Sequence, residues 1–254
     1  MDQQELTAQQ FGTSATAYLH SAVHASGADL DRLTDLTERL APARVLDLGC
    51  GAGHVSFALA RGGAASVTAY DPSADMLDVV AREAAGRGIT CIGTQAGVAE
   101  TLPFDAASFD LVVTRFSAHH WANVPKALAE CARVTRAQGR LVVIDVCAPE
   151  TPLLDTALQV LEFLRDASHV RNYRLSEWRA MLQAAGFGAP AVSDWKLPME
   201  FSSWIARIKT PPARVCALEA VFAALPREAN EYFHIDAAHG FAIDVAWLES
   251  LKVG

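Results

Sequence analysis

A doubly wound α/β fold is predicted for residues 40–150, on three observations. From residue 44 onward, short runs rich in branched residues alternate with segments of helical periodicity. The run 140–145 is almost continuously apolar, as in a strand covered on both faces. The intervening segments are long enough for helical crossovers, which makes neighbouring strands parallel and the crossovers right-handed.

Residues 1–40 read as helical, with Phe11, Ala15, Tyr18 and Leu19 on one face and Leu30, Leu33, Leu36 and Leu40 on another. Strands are expected at 44–48, 66–70, 89–92, 109–114 and 140–145. A helix begins near Ala52 and carries Val55, Ala58 and Leu59; a second is capped by Ser73 and presents Met76, Leu77 and Val80. A third spans 125–136, with Pro125 in its first turn and Gly139 ending the segment. Beyond 150 come helices over 153–166 and 176–185, the latter stopped by Gly186. A strand at 191–195, a helical excursion to about 226 and a closing strand at 240–247 follow. No low-complexity linker interrupts this order. One domain over 1–254 is expected: a helical cap (1–40), a ligand-binding core (41–150) and a substrate-side cap with the final strands (151–254).

Of 254 residues, 51% are hydrophobic and 20% charged, the make-up of a chain that buries a sizeable core. The formal charge is -8 and no basic patch gathers, which disfavours a nucleic-acid partner. Five widely spaced cysteines without a Cys-x-x-Cys point away from a disulfide framework or zinc cluster and toward a reducing compartment. The polar opening MDQQELTAQQ lacks a signal-peptide plan, and no run approaches the ~20 apolar residues of a membrane span. A cytoplasmic protein with no membrane partner, monomeric or homodimeric, is expected.

The chemistry concentrates where the first strand turns into the first crossover helix. There the sequence reads Val45-Leu-Asp-Leu-Gly-Cys-Gly-Ala-Gly53. A dinucleotide loop counted from Gly49 wants a glycine at 54, where this chain has His54, and a Walker loop would need Gly-Lys-Ser/Thr. Without side chains at Gly49 and Gly51 the backbone can approach a ligand closely. Asp47 is expected to point a carboxylate into the same crevice, which suits a zwitterionic amino-acid end better than a pyrophosphate. Asp71 closes the second strand 22 residues after Gly49, where an acid can accept from both hydroxyls of a ribose. The bland alternative is a tight turn and a helix cap.

These residues resemble the class I S-adenosylmethionine-dependent methyltransferases, in the small-molecule (type 11, ubiquinone/menaquinone-biosynthesis-like) branch. Residues 45–53 look like the family's first motif, and Tyr70-Asp-Pro-Ser-Ala-Asp-Met76 like its ribose-binding segment. Ala99-Glu-Thr-Leu-Pro-Phe104 with Ser108-Phe-Asp-Leu-Val-Val113 is similar to its adenine-side loop and fourth strand. Leu175-Ser-Glu-Trp178 through Ala185-Gly-Phe187 resembles the helix before its sixth strand. The resemblance covers roughly residues 40–190. It implies a Rossmann-like sheet of seven strands, the last antiparallel, with S-adenosylmethionine across the carboxyl edge.

It further implies that Gly49, Cys50 and Gly51 lie against the methionine moiety, that Asp47 holds its ammonium, and that Asp71 and Pro72 meet the ribose. Met76 would pack on one side of the adenine and Gly97, Val98 and Ala99 on the other. Many relatives carry an acid where this chain has Val98, so a backbone carbonyl or a water must receive the adenine amino group. Phe11, Tyr18 and His24 fit a lid over the cofactor, with Phe11 and Tyr18 as core contacts the alternative. Arg115 and Phe116 would border the same site, Arg115 holding a carboxylate or else forming a surface ion pair.

Methyl transfer needs a base only where the acceptor atom must lose a proton. The candidates follow the fourth strand, in Thr114-Arg-Phe-Ser-Ala-His119-His120-Trp121: His119 or His120 is expected to be a general base or to orient the acceptor, the alternative being that one or both only hydrogen-bond backbone at a helix start or contact the cofactor. His234, Asp236 and His239 fit no zinc motif and read as a loop. No metal is expected. Phe163, Tyr173, Trp178, Trp195 and Trp204 are candidates for an acceptor pocket or the core. The leading expectation is metal-independent methylation of a small organic acceptor at carbon, oxygen or nitrogen. A nicotinamide-dependent oxidoreductase and a non-catalytic S-adenosylmethionine-binding protein are the alternatives.

Overall fold

The computed structural model describes residues 2–12 and 27–253, with the backbone alone at residues 11 and 12. Two helices lead, α1 (Gln3–Gly12) and α2 (Ala28–Leu40). The alternating series follows as β1 (Arg44–Leu48), α3 (His54–Arg61), β2 (Ser66–Asp71), α4 (Ala74–Gly86), β3 (Ile92–Ala96), β4 (Phe109–Arg115), α5 (Val124–Val134) and β5 (Thr135–Ala148). Then come α6 (Pro152–Arg165), β6 (Tyr173–Arg174), α7 (Leu175–Ala184), β7 (Ala191–Met199), α8 (Phe201–Arg207), α9 (Pro212–Ala224), α10 (Arg227–Tyr232) and β8 (Phe241–Leu251).

The strands form one sheet in the order β3-β2-β1-β4-β5-β8-β7, with the two-residue β6 paired to β5 off that path. Pairing is parallel from β3 to β5, and β8 runs antiparallel to both β5 and β7. The doubly wound sheet with one antiparallel strand is therefore present, and β6 is an eighth strand that the sequence did not announce.

Side chains alternate across a strand, so one run feeds two cores. Leu46, Leu48, Val112 and Val143 face α5 and α7 through Val124, Leu128, Cys131, Trp178 and Leu182. Val45, Leu111, Val113, Val142 and Ile144 face the other way, onto Leu30, Leu33 and Leu36 of α2 and Val55 and Leu59 of α3. Beyond β5, helices α6, α8, α9 and α10 close over Val146, Ala148, Phe241 and Ile243 as a third apolar cluster, in which Trp204 is buried. Among the described residues no helix is long and apolar enough to cross a membrane.

Several expected boundaries move. The strand expected at 89–92 forms at Ile92–Ala96, because the Ile89 N–H donates back to the Ala84 carbonyl and closes α4 instead. Gly139 does not end a helix: α5 stops at Val134, the Thr135 hydroxyl donates to the Cys131 carbonyl at 2.6 Å, and the chain enters β5 at once. A bulge opposite Phe109–Leu111 absorbs the extra residues. β7 also runs past the expected residue 195 through Pro198, tolerated because β7 is the sheet's edge strand.

Candidate functional site

At the carboxyl ends of β1, β2 and β4 the turn after β1 faces the turn after β4 across a cleft of about 1040 Å³, open mouth included. Open parallel sheets bind ligands at this edge. Gly49 and Gly51 serve it differently. A Cβ at Gly49 (φ +72°) would lie 1.8 Å from Ser117 Oγ, so the bare glycine lets the two turns touch. At Gly51 (φ +49°) a Cβ would meet nothing within 4 Å, so its missing side chain is space in the cleft. The Ser117 hydroxyl oxygen is itself held by the Trp121 indole N–H at 3.0 Å.

Asp71 ends β2 on the cleft wall. Its Oδ2 accepts from the Gly51 N–H and its Oδ1 from the Ser73 N–H, each at 2.9 Å. Burial pushes its pKa up to about 6 against the pull of those two bonds. Cys50, Pro72, Met76, Gly97, Val98 and Ala99 line the same cleft. Val98 brings no carboxylate, and its carbonyl accepts from the Tyr70 hydroxyl at 3.3 Å. The acid in that part of the wall is Glu100, whose Oε1 accepts from the Asn123 N–H at 3.0 Å.

Asp47 does not point into the crevice. It is 1% exposed, beneath the turn, where its Oδ2 accepts from the Ser56 hydroxyl at 2.6 Å. Burial raises its pKa to about 7, and its Oδ1 is buried with no hydrogen-bond partner among the described residues. A carboxylate oxygen held unsatisfied under a glycine turn fits a cationic group approaching that turn.

Arg115 and Phe116 reach the cleft at the end of β4. The Arg115 Nε–H donates to Asp29 Oδ2 at 2.6 Å with both side chains under 10% exposed. The ion pair named as its alternative is thus buried, not on the surface.

The two histidines occupy a short 3₁₀ turn, Ala118–His120. Only His120 lines the cleft. Its Nδ1 lies 3.1 Å from the Ser168 carbonyl, which assigns the proton to Nδ1 and leaves Nε2 as the acceptor nitrogen. Burial, with the neighbouring His119, pulls its pKa down to about 4, so the ring is neutral at pH 7. His119 sits behind it at 4.2 Å between centroids, its Nδ1 2.6 Å from Asp145 Oδ1. Burial depresses His119, but the Asp145 carboxylate outweighs it and the net shift is upward.

Sequence reasoning missed Asp145, although an acid closing an apolar strand at the ligand edge is a readable signal. It also missed Glu100, Ser117 and Trp121, and Gln4 and Thr7 of α1, which reach the cleft. α1 is tethered there by Gln3, whose side-chain amide donates to the Ser168 carbonyl at 2.6 Å. Of the expected lid, Tyr18, His24 and the side chain of Phe11 lie outside the described residues. Asp236 caps its own loop by accepting from the Ala238 and Gly240 N–H groups, and His239 stacks on Phe222. Among the described residues no three His, Cys, Asp or Glu are grouped to hold a metal ion. Of the five aromatics named for an acceptor pocket, Trp178 and Trp204 are core and Tyr173 packs against it, Phe163 is 52% exposed, and Trp195 lines a cavity.

Comparison with known proteins places this geometry. A family model described as "Methyltransferase domain" matches residues 46–143. The uncharacterized protein YafE of Escherichia coli is 42% identical over 204 residues, which is 80% of this chain and 98% of YafE. The uncharacterized methyltransferase YcgJ of Bacillus subtilis is 39% identical over 80% of each chain. The crystal structure of YcgJ superposes with a TM-score of 0.83 at 33% identity, covering 88% of this chain and 99% of that one. That of a putative methyltransferase from Bacillus halodurans gives 0.85 at 28%, covering 90% and 100%.

Proposed function

The chain belongs to the type 11 methyltransferase family, and from that membership we propose that it moves the methyl group of S-adenosylmethionine to a small organic acceptor at carbon, oxygen or nitrogen without a metal ion. The observation that carries this reading is one cleft holding three features: the bare backbone of Gly49–Gly51, the Asp71 carboxylate and the neutral His120. Residues 1–254 are read as one catalytic body working in the cytoplasm on a small molecule, as a monomer or homodimer.

The residues fit the donor. Gly51 leaves room for its amino-acid end, and the unsatisfied Asp47 Oδ1 beneath the turn favours an ammonium there. Asp71 would receive the ribose hydroxyls, with Met76 and Val98 flanking the adenine. When bound, S-adenosylmethionine supplies a methyl group on a positively charged sulfur, already reactive, so the protein's task is alignment; good positioning is worth ~7–11 kcal/mol. His120 lines the cleft as a neutral ring: in this reading it orients the acceptor through a hydrogen bond and takes its proton where the methylated atom carries one to lose. His119 and Asp145 are positioning residues, fixing the turn that carries His120. Calorimetric titration with S-adenosylhomocysteine, then labelled S-adenosylmethionine with an acceptor library, tests the reading. Binding without product from any acceptor supports a sensor; binding of NADH instead supports a dehydrogenase.

A further inference from the structure

A second cavity, of about 630 Å³ with its mouth, lies beside the first, between the start of α2, the end of β4 and strands β7 and β8. Arg115 and Phe116 line both, so the two spaces share a wall. Trp247 is part of this lining, its indole fully buried. Trp195, Leu197 and Phe116 add apolar and aromatic walls. Flat aromatic surfaces at this density favour a planar occupant, whose ring can stack or meet them edge-on.

Among the described residues that line the cavity, Asp29 and Arg115 pair at 2.6 Å, and Arg32, an exposed side chain, is the further cation. The Arg32 guanidinium lies 4.0 Å above the Trp247 ring and donates through Nη1 to the Ser193 hydroxyl. Held flat by ring and hydroxyl, the guanidinium fork is oriented before a ligand arrives, the arrangement that favours a planar oxyanion over a neutral group.

We propose that this second cavity is the outer part of the acceptor pocket and that the acceptor is a flat aromatic molecule carrying a carboxylate or comparable oxyanion, the ring against Trp195 and Phe116 and the anion on Arg32, with the atom to be methylated reaching past Phe116 toward His120 in the first cleft. The assignment rests on the first cleft holding the methyl donor.

The test is calorimetric titration of 2-naphthoate and its neutral counterpart 2-naphthamide into the full-length protein, with and without saturating S-adenosylhomocysteine. The parent should bind naphthoate at least tenfold more tightly than naphthamide. Arg32→Ala should level the two, Arg32→Lys should keep part of the preference, and Trp195→Ala should weaken both about tenfold. S-adenosylhomocysteine affinity should be the same in all four proteins. Equal affinities in the parent, a preference that survives Arg32→Ala, Trp195→Ala binding like the parent, or no binding of either compound would each overturn the proposal. If S-adenosylhomocysteine fails to bind while Arg32 still discriminates the naphthyl pair, the donor assignment falls and the anion-selective pocket stands.

Discussion

His119 Nδ1 and Asp145 Oδ1 lie 2.6 Å apart at the carboxyl ends of adjacent strands β4 and β5. The same carboxylate accepts from the Ala118 and Val146 N–H groups at 2.9 and 2.8 Å, so one side chain ties the histidine turn to the sheet. The pairing keeps a positive charge on His119 to higher pH than an ordinary imidazole, and that charge is the largest electrostatic cause of the depressed pKa of His120.

Asp145→Asn should therefore move the acid limb of kcat/KM. Without the carboxylate, burial takes over, His119 titrates lower and it repels a proton on His120 less. The His120 pKa rises from about 4, and the limb shifts to higher pH. A pH–rate profile with both proteins checks it. An unmoved limb would separate His120 from His119. His120→Ala should lower turnover far more than cofactor affinity.

Gly49→Ala and Gly51→Ala should fail in opposite ways. At Gly49 the new methyl collides with Ser117, costing ~1–3 kcal/mol of overpacking beyond the ~1–2 kcal/mol of a left-handed alanine. Thermal melts should show the loss, with partial recovery on adding Ser117→Gly. Gly51→Ala meets no described protein atom, so only the backbone cost applies; the melt falls less than that of Gly49→Ala while cofactor binding drops.

Cofactor affinity should rise with pH until Asp71 is ionised. Hydroxyl donors bind the carboxylate form, and the apo pKa stands near 6 against an ordinary 3.8. Below pH 6, binding must expel a proton, and Kd worsens by up to about tenfold per unit. Asp71→Asn should weaken binding by ~1–3 kcal/mol and flatten this dependence. Comparing parent and variant by calorimetry from pH 5 to 8 isolates Asp71 from Asp47.

Two ion pairs of α2 should differ in worth. Asp29→Ala removes a buried partner of Arg115 and should cost ~3–5 kcal/mol in denaturant unfolding. Asp31→Ala removes a pair with Arg61 whose side chains are 60% and 80% exposed, and should cost ~0–1 kcal/mol.

What could be read in the chain was local. The glycine turn, Asp71, and the apolar strands β1, β4 and β5 announce themselves by period and by neighbours within ten or twenty residues. Gly139 misled because glycine near a helix end is also how a strand absorbs a bulge. Asp47 misled because it shares the glycine motif, while the hydroxyl of Ser56 claims it from the next helix. The Asp145 partnership with His119 and the pocket joining Arg32, Phe116, Trp195 and Trp247 depend on strand order. Pairing of β4 with β5, of β5 with β8 and of β8 with β7 brings these residues together, and no local pattern encodes that.

The most direct measurement is titration of S-adenosylhomocysteine into the full-length protein alongside NADH. Saturable one-to-one binding of the nucleoside, weakened by Asp71→Asn and by Gly51→Ala in folded protein, with no heat from NADH, is the expected result. A silent nucleoside titration, or NADH binding that depends on Gly51, would contradict it.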